Sequence, residues 1–273
     1  MMIIASICFS LVAVMVKYIR HLPLMEIILF RNIPTMIIIP IILKKKGIPF
    51  FGNNKLVLLM RGFFGTIGML GIFYTYTIMP LTDAVTIQRL SPFFIVILSG
   101  IFLKEKLYFQ QIPIFILAFL GGLLIIRPGL RLDIFSTIIA LIAAILMAAA
   151  HVTLRHLRLT DHHLVIINYF AYFSGLLSII VLLFSKNNLN IPTSNDLLIL
   201  FLLGIISLVT QIILTKVYQM APASLVSLYS YSQIIFACIF SLLFFKEMPI
   251  LLSLIGSALI ILSGYLNYRL RIK

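Results

Sequence analysis

Carboxylates are scarce in this chain: seven Asp and Glu stand against 21 Lys and Arg in 273 residues. They are Glu26, Asp83, Glu105, Asp133, Asp161, Asp196 and Glu247, each at the end of an apolar run or between two runs. None sits mid-run, where a proton-relaying carboxylate would be expected. Cysteine is almost absent too. Cys8 and Cys238 fall in separate apolar runs, which excludes a disulfide framework and leaves both as packing residues. No GxxxxGK[ST] phosphate loop is present, so this chain alone is not expected to spend ATP. No nucleophile, acid and base arrangement and no metal-binding helix motif stands out, so neither an enzyme nor a resident cofactor or metal is expected. His151 is expected to end the sixth apolar run, and His156, His162 and His163 to occupy the following loop with Asp161; the Asp-His-His string lacks further ligands at fixed separations and reads as an exposed, partly basic loop. Before the first apolar run there is no basic region or small-residue cleavage site, and that run is expected to stay as a span.

What is present is apolar: 62% of residues are hydrophobic, 10% are charged, and the mean hydropathy is +1.19. Such a chain cannot bury its apolar surface in one soluble core and belongs in a lipid bilayer. Runs long enough to span lie at 2–19, 24–43, 56–78, 83–103, 109–126, 134–153, 163–184, 196–219, 224–245 and 249–267. The short connections leave no room for a soluble domain. Pro23, Pro80, Pro222 and Pro249 stand at or just outside helix starts, while Gly129 and the Asn187-Asn188 pair mark breaks. Ten spans put both termini on one side. Connections on that side carry eleven cations, Lys44, Lys45, Lys46, Lys55, Lys104, Lys106, Arg155, Arg158, Arg269, Arg271 and Lys273, against five opposite, Arg20, Arg127, Arg131, Lys186 and Lys246. The positive-inside effect makes both termini cytoplasmic. With anionic headgroups it also accounts for the net charge of +14, leaving no role for nucleic acid.

The chain says one thing twice. Tyr76, Pro80, Phe94, Ile97, Ser99, Phe102, Lys104 and Glu105 recur as Tyr218, Pro222, Phe236, Ile239, Ser241, Phe244, Lys246 and Glu247, every pair 142 positions apart. Each copy opens on a hydroxyl expected to cap a helix, Thr82 or Ser224, and closes on a Lys-Glu pair expected to hold a hairpin at the interface. Residues 1–131 and 132–273 then form two five-span units. An odd number of crossings makes the second enter from the opposite side. The predicted fold class is an all-α polytopic membrane protein with ten transmembrane helices as two inverted five-helix repeats. Inverted repeats place a solute site near the bilayer midplane and permit alternating access.

Three stretches carry a resemblance: EIILFRNIP (Glu26 to Pro34), the run from Met60 to Leu107, and the run from Tyr218 to Pro249. They closely resemble the EamA family of the drug/metabolite transporter superfamily. The resemblance implies ten helices in a bacterial inner membrane and a secondary transporter of a small polar metabolite, such as an amino acid or S-adenosylmethionine, in either direction. Export of drugs or toxic metabolites, or a facilitator or channel without ion coupling, are the alternatives. Cationic multidrug export as in the small multidrug resistance relatives would want a carboxylate in the first span, and residues 2–16 hold none. The partners expected are the small-molecule substrate and the bilayer, with the protein a monomer or homodimer.

Candidate substrate-binding residues follow from depth and polarity. Arg89 lies about two turns into the fourth span and either meets substrate, pairs with Asp83 or snorkels outward. It departs from the resembling family, which has an apolar residue there, as Gln88 departs beside it. If functional, Arg89 calls for an anionic group on the substrate. The polar stretch Tyr229, Ser230, Tyr231, Ser232 and Gln233 is set opposite Gln88, Arg89, Ser91 and Pro92 by the repeat and is too polar for lipid. Gln211, Tyr74 and Tyr76 could complete the lining. Pro92 is expected to kink the fourth span. Glu26 and Arg31 each tie to a neighbouring helix or snorkel, and Arg61 and Lys216 read as snorkelling cations near helix ends. Gly62, Gly65, Gly68 and Gly71 form a small-residue stripe for close helix packing or for sliding.

Overall fold

The computed structural model describes residues 1–102, 110, 112–126, 134–184, 192–220, 230–247 and 251–272. The described residues are helical, with no strand among them. The helices are α1 (Met2–Tyr18), α2 (Leu24–Lys45), α3 (Lys55–Ile78), α4 (Leu81–Gln88), α5 (Ser91–Phe102), α6 (Ile112–Ile126), α7 (Ile134–Leu157), α8 (His163–Phe184), α9 (Ser194–Met220), α10 (Ser232–Phe245) and α11 (Leu251–Ile272). Taken with α4 and α5 as one interrupted span, six are long and apolar enough to cross a membrane, and four are shorter apolar helices. Polarity is arranged for lipid. Large apolar side chains such as Ile4, Phe63, Phe119 and Phe201 face outward, whereas Ser6, Ser10, Asn32, Thr66, Ser174 and Thr210 are buried. Many buried hydroxyls donate to a carbonyl one turn back, as Ser174 does to Phe170 and Thr86 to Thr82, both at 2.7 Å, which satisfies those groups within their own helix. The chain is a multi-pass membrane protein.

Helix ends follow local chemistry. Asn54 caps α3 by accepting from Val57 N at 3.3 Å. Thr193 and Asp196 form a reciprocal box at the start of α9: Asp196 accepts from Thr193 N at 3.0 Å, and Asp196 N donates to Thr193 Oγ1 at 3.3 Å. The cap expected at Thr82 is not made. α4 starts at Leu81, two residues before the expected start and directly after Pro80, and the Thr82 hydroxyl is buried inside the first turn. Ser224, Gly129, Asn187, Asn188, Lys104 and Glu105 lie outside the described residues.

Helix α3 packs between α7 and α8, α2 between α8 and α9, and α1 between α9 and α10; α4 lies on α10, α5 on α7, and α6 on α11. The glycine stripe makes these approaches possible. A Cβ on Gly68 would stand 3.1 Å from the backbone nitrogen of Met147, and one on Gly71 would stand 2.7 Å from the Ala143 Cβ. Gly65 is different, because its missing side chain leaves room for the guanidinium of Arg61.

Each end of the bundle has a carboxylate clamp. Asp161 accepts from Asn53 N at 2.7 Å and from Asn54 N at 3.3 Å, which ties the α2–α3 connection to the α7–α8 connection and gives this member of the Asp-His-His string a structural task. At the other end Glu247 accepts from Lys17 Nζ at 2.5 and 2.7 Å, from Ser241 Oγ at 3.1 Å and from Leu81 N at 3.3 Å. Lys17 also donates to Met79 O at 3.2 Å. Glu247 therefore joins α1, the α3–α4 corner and α10, where the sequence suggested only an interfacial charge. Its neighbour Lys246 ends α10 in the left-handed conformation, φ 54°.

A cationic cavity between the helices

The fourth span breaks where Pro92 predicts. α4 ends at Gln88, α5 starts at Ser91, and Leu90 N donates to Ile87 O at 3.0 Å in a tight turn between them. Proline has no N–H, so the Gln88 carbonyl loses its usual partner four residues on. Arg89 sits on this break, half-buried. Its guanidinium donates to the side-chain oxygen of Gln233 on α10, and its Nε is sealed from solvent with no hydrogen-bond partner among the described residues. Beside it, the Tyr76 hydroxyl donates to Gln88 Oε1 at 2.8 Å. Gln233 is almost fully buried, and its amide nitrogen has no partner among the described residues.

This polar knot divides two adjoining cavities. One, about 40 Å³, is lined by Arg31, Arg61, Tyr76, Gln88, Phe170, Ser207, Thr210 and Gln211 among others. The second, also about 40 Å³, is lined by Gln88, Arg89, Ser91, His151, Tyr218 and Ser230 among others. They share Phe9, Gln88, Met147 and Leu214. No carboxylate appears among the described residues lining either.

Of the residues singled out in the sequence, Arg89, Gln88, Tyr76, Gln211 and Gln233 meet in and around these cavities. Tyr231 is buried, with its ring against Gly264 of α11. Tyr74 lines neither cavity, and Tyr229 lies outside the described residues. His151, expected to end its span, instead stands inside α7, with Nδ1 2.6 Å from Met147 O and its ring 4.8 Å from that of Tyr218.

The sequence reading misplaced Arg61, whereas Arg31 ties to neighbouring helices, one of the two outcomes expected for it. Arg61 does not snorkel: it is 4% exposed, lies over the Phe170 ring at 4.6 Å, and keeps Nε and Nη1 without hydrogen-bond partners among the described residues. Lys216 is exposed, as expected. Arg31, 5% exposed, turns inward to α3 and α8. Its Nη1 lies 2.7 Å from Met69 Sδ, and its guanidinium is 5.7 Å from both the Phe73 and Phe170 centroids. The signal that would have found Arg61 is the glycine one turn later, Gly65, whose absent side chain makes the inward rotamer possible.

A helical membrane bundle with a broken span, internal polar groups and a midchain cavity defines a solute transporter. The model of the EamA-like transporter family matches residues 1–127 and 134–269, and the chain belongs to that family. It is 28% identical over 265 residues to a pseudopaline exporter of Pseudomonas aeruginosa, covering 96% of this chain and 92% of that one. It is 31% identical to mouse solute carrier family 35 member G1, covering 96% of this chain and 75% of the relative. A solved crystal structure with 17% identity covers 98% of both chains at a TM-score of 0.67 and shares the fold. The protein is a transporter and not an enzyme.

Proposed function

We propose that the protein is a secondary transporter that moves a small polar metabolite bearing an anionic group across a bacterial inner membrane by alternating access. The observation that carries this reading is Arg89: a cation on a broken mid-span helix, held by Gln233 of the other half and with no carboxylate lining its cavity. Irregular backbone at membrane depth is tolerated where it lines a cavity, and discontinuous helices commonly hold solute. Gln88, Tyr76, Tyr231, Gln233 and Gln211 supply further hydrogen bonds, with Tyr229 next to them in sequence.

The mechanism rests on two inverted halves, 1–131 and 132–273, with both termini cytoplasmic. Its support is the 142-residue repeat, the eleven-to-five distribution of cations and the pattern of helix packing. Exchanging each helix for its repeat mate turns α3 on α7 into α9 on α1, α2 on α9 into α8 on α3, and α5 on α7 into α10 on α1. All six packings occur. The packings α2 on α8 and α6 on α11 are their own counterparts. A cavity of about 40 Å³ holds a few waters and no metabolite, so loading requires the halves to move. The lack of a lining carboxylate favours facilitated diffusion or exchange over obligatory proton coupling. The similarity to a pseudopaline exporter favours the outward direction.

Uptake into proteoliposomes, screened with amino acids, nucleobases, flavin and S-adenosylmethionine, tests this reading. For the solute carried, Arg89→Gln is expected to lower affinity by about 10- to 100-fold, the worth of a charge-assisted hydrogen bond, with folded yield preserved. Arg89→Lys should restore only part, because it keeps the charge and loses the planar fork. Unchanged affinity in folded Arg89→Gln protein would assign Arg89 to the scaffold.

A further inference from the structure

We infer that Arg31 and Arg61 form a second anion subsite, separate from Arg89, and that the transported solute therefore carries at least two anionic groups. Both guanidiniums are more than nine-tenths buried and both contact the same Phe170 ring, at 5.7 and 4.6 Å from its centroid, so they lie no farther apart than the sum of these distances. They repel each other. Cation–π contacts contribute far less than removing two like charges from water costs. The carboxylate that would balance them is missing from the described lining, while Arg31 Nε and Arg61 Nε and Nη1 have no partner among the described residues. Gln211, whose Oε1 is also unpartnered, and Thr210 share this cavity. Gln88 and Leu214 line both cavities, so one solute could reach Arg89 from here.

The inference rests on the proposed transport of an anionic solute at Arg89, and its test separates the two. Purified full-length protein in detergent is titrated with matched pairs that differ by one anionic group: glutamate and glutamine, succinate and succinamate, phosphoserine and serine. Protection against thermal unfolding is the readout. For at least one pair, the doubly anionic member should half-saturate wild type at a concentration at least tenfold lower than its partner. In Arg61→Met that preference should fall below twofold while binding of the singly anionic member persists, whereas Arg89→Gln should weaken both members. The carboxylate pairs distinguish a carboxylate from the phosphate that phosphoserine offers. Unliganded Arg61→Met should also melt no lower than wild type, since an apolar side chain replaces an uncompensated charge; a purely structural arginine would leave it melting lower. Absence of a preference in every pair, or its survival in Arg61→Met, overturns the second subsite. If a singly anionic member binds and responds to Arg89→Gln alone, the Arg89 reading stands and the subsite falls. If Arg61→Met abolishes the preference and Arg89→Gln changes nothing, the reverse holds. Should Arg61→Met not fold, Arg31→Met is read by the same criteria.

Discussion

Glu247→Ala is expected to destabilise the protein by about 3 kcal/mol, the low end of the cost of orphaning a buried charge. Lys17 is 6% exposed and has Glu247 as its ion-pair partner, while Glu247 itself is 34% exposed, which moderates the loss. The carboxylate also accepts from Leu81 N and Ser241 Oγ, so its removal loosens α1, the α3–α4 corner and α10 together. Adding Lys17→Met should recover much of the stability, because it removes the stranded cation. The double mutant is then more stable than the sum of the single changes implies, a coupling that a double-mutant cycle in thermal unfolding reads directly. Additive losses would mean that the two side chains do not act as a pair.

Gly71→Leu should have a larger effect. A Cβ there would already stand 2.7 Å from the Ala143 Cβ, closer than real Cβ contacts come, and leucine adds three more carbons. Both helices are long and packed along much of their length, so α3 cannot withdraw from α7 locally. The overpacking is expected to cost more than about 3 kcal/mol and to remove most folded protein. Size-exclusion chromatography of the detergent extract measures the yield. Wild-type yield from Gly71→Leu would place the stripe against a yielding surface and would favour its use for sliding.

Much of this was legible in the sequence where the physics is local. Continuous apolar runs located the helices, Pro92 located the break in the fourth span, and the expense of a deep charge drew attention to Arg89. Contacts between distant residues were not legible. Lys17 and Glu247 are 230 positions apart, and neither carries a local sign of the other. Arg61 looked like a terminal cation because depth along a helix was the only measure available. Whether such a side chain turns to lipid or inward depends on what faces it, here Phe170 and the gap at Gly65. For Arg31 the expected tie to a neighbouring helix is made, but which helices supply it, α3 and α8, was not legible. Thr82 failed as a cap for a local reason: α4 starts directly after Pro80, which puts the hydroxyl inside the helix.

The central claim is that two halves cross the membrane in opposite senses, with Arg89 at their junction. Single cysteines at Lys104 and Lys246, in a background with Cys8 and Cys238 replaced, test it most directly in intact cells. A membrane-impermeant maleimide should label Lys246→Cys from outside and Lys104→Cys only after the membrane is opened. Labelling of both from the same side would contradict the inverted arrangement and the alternating-access mechanism that depends on it.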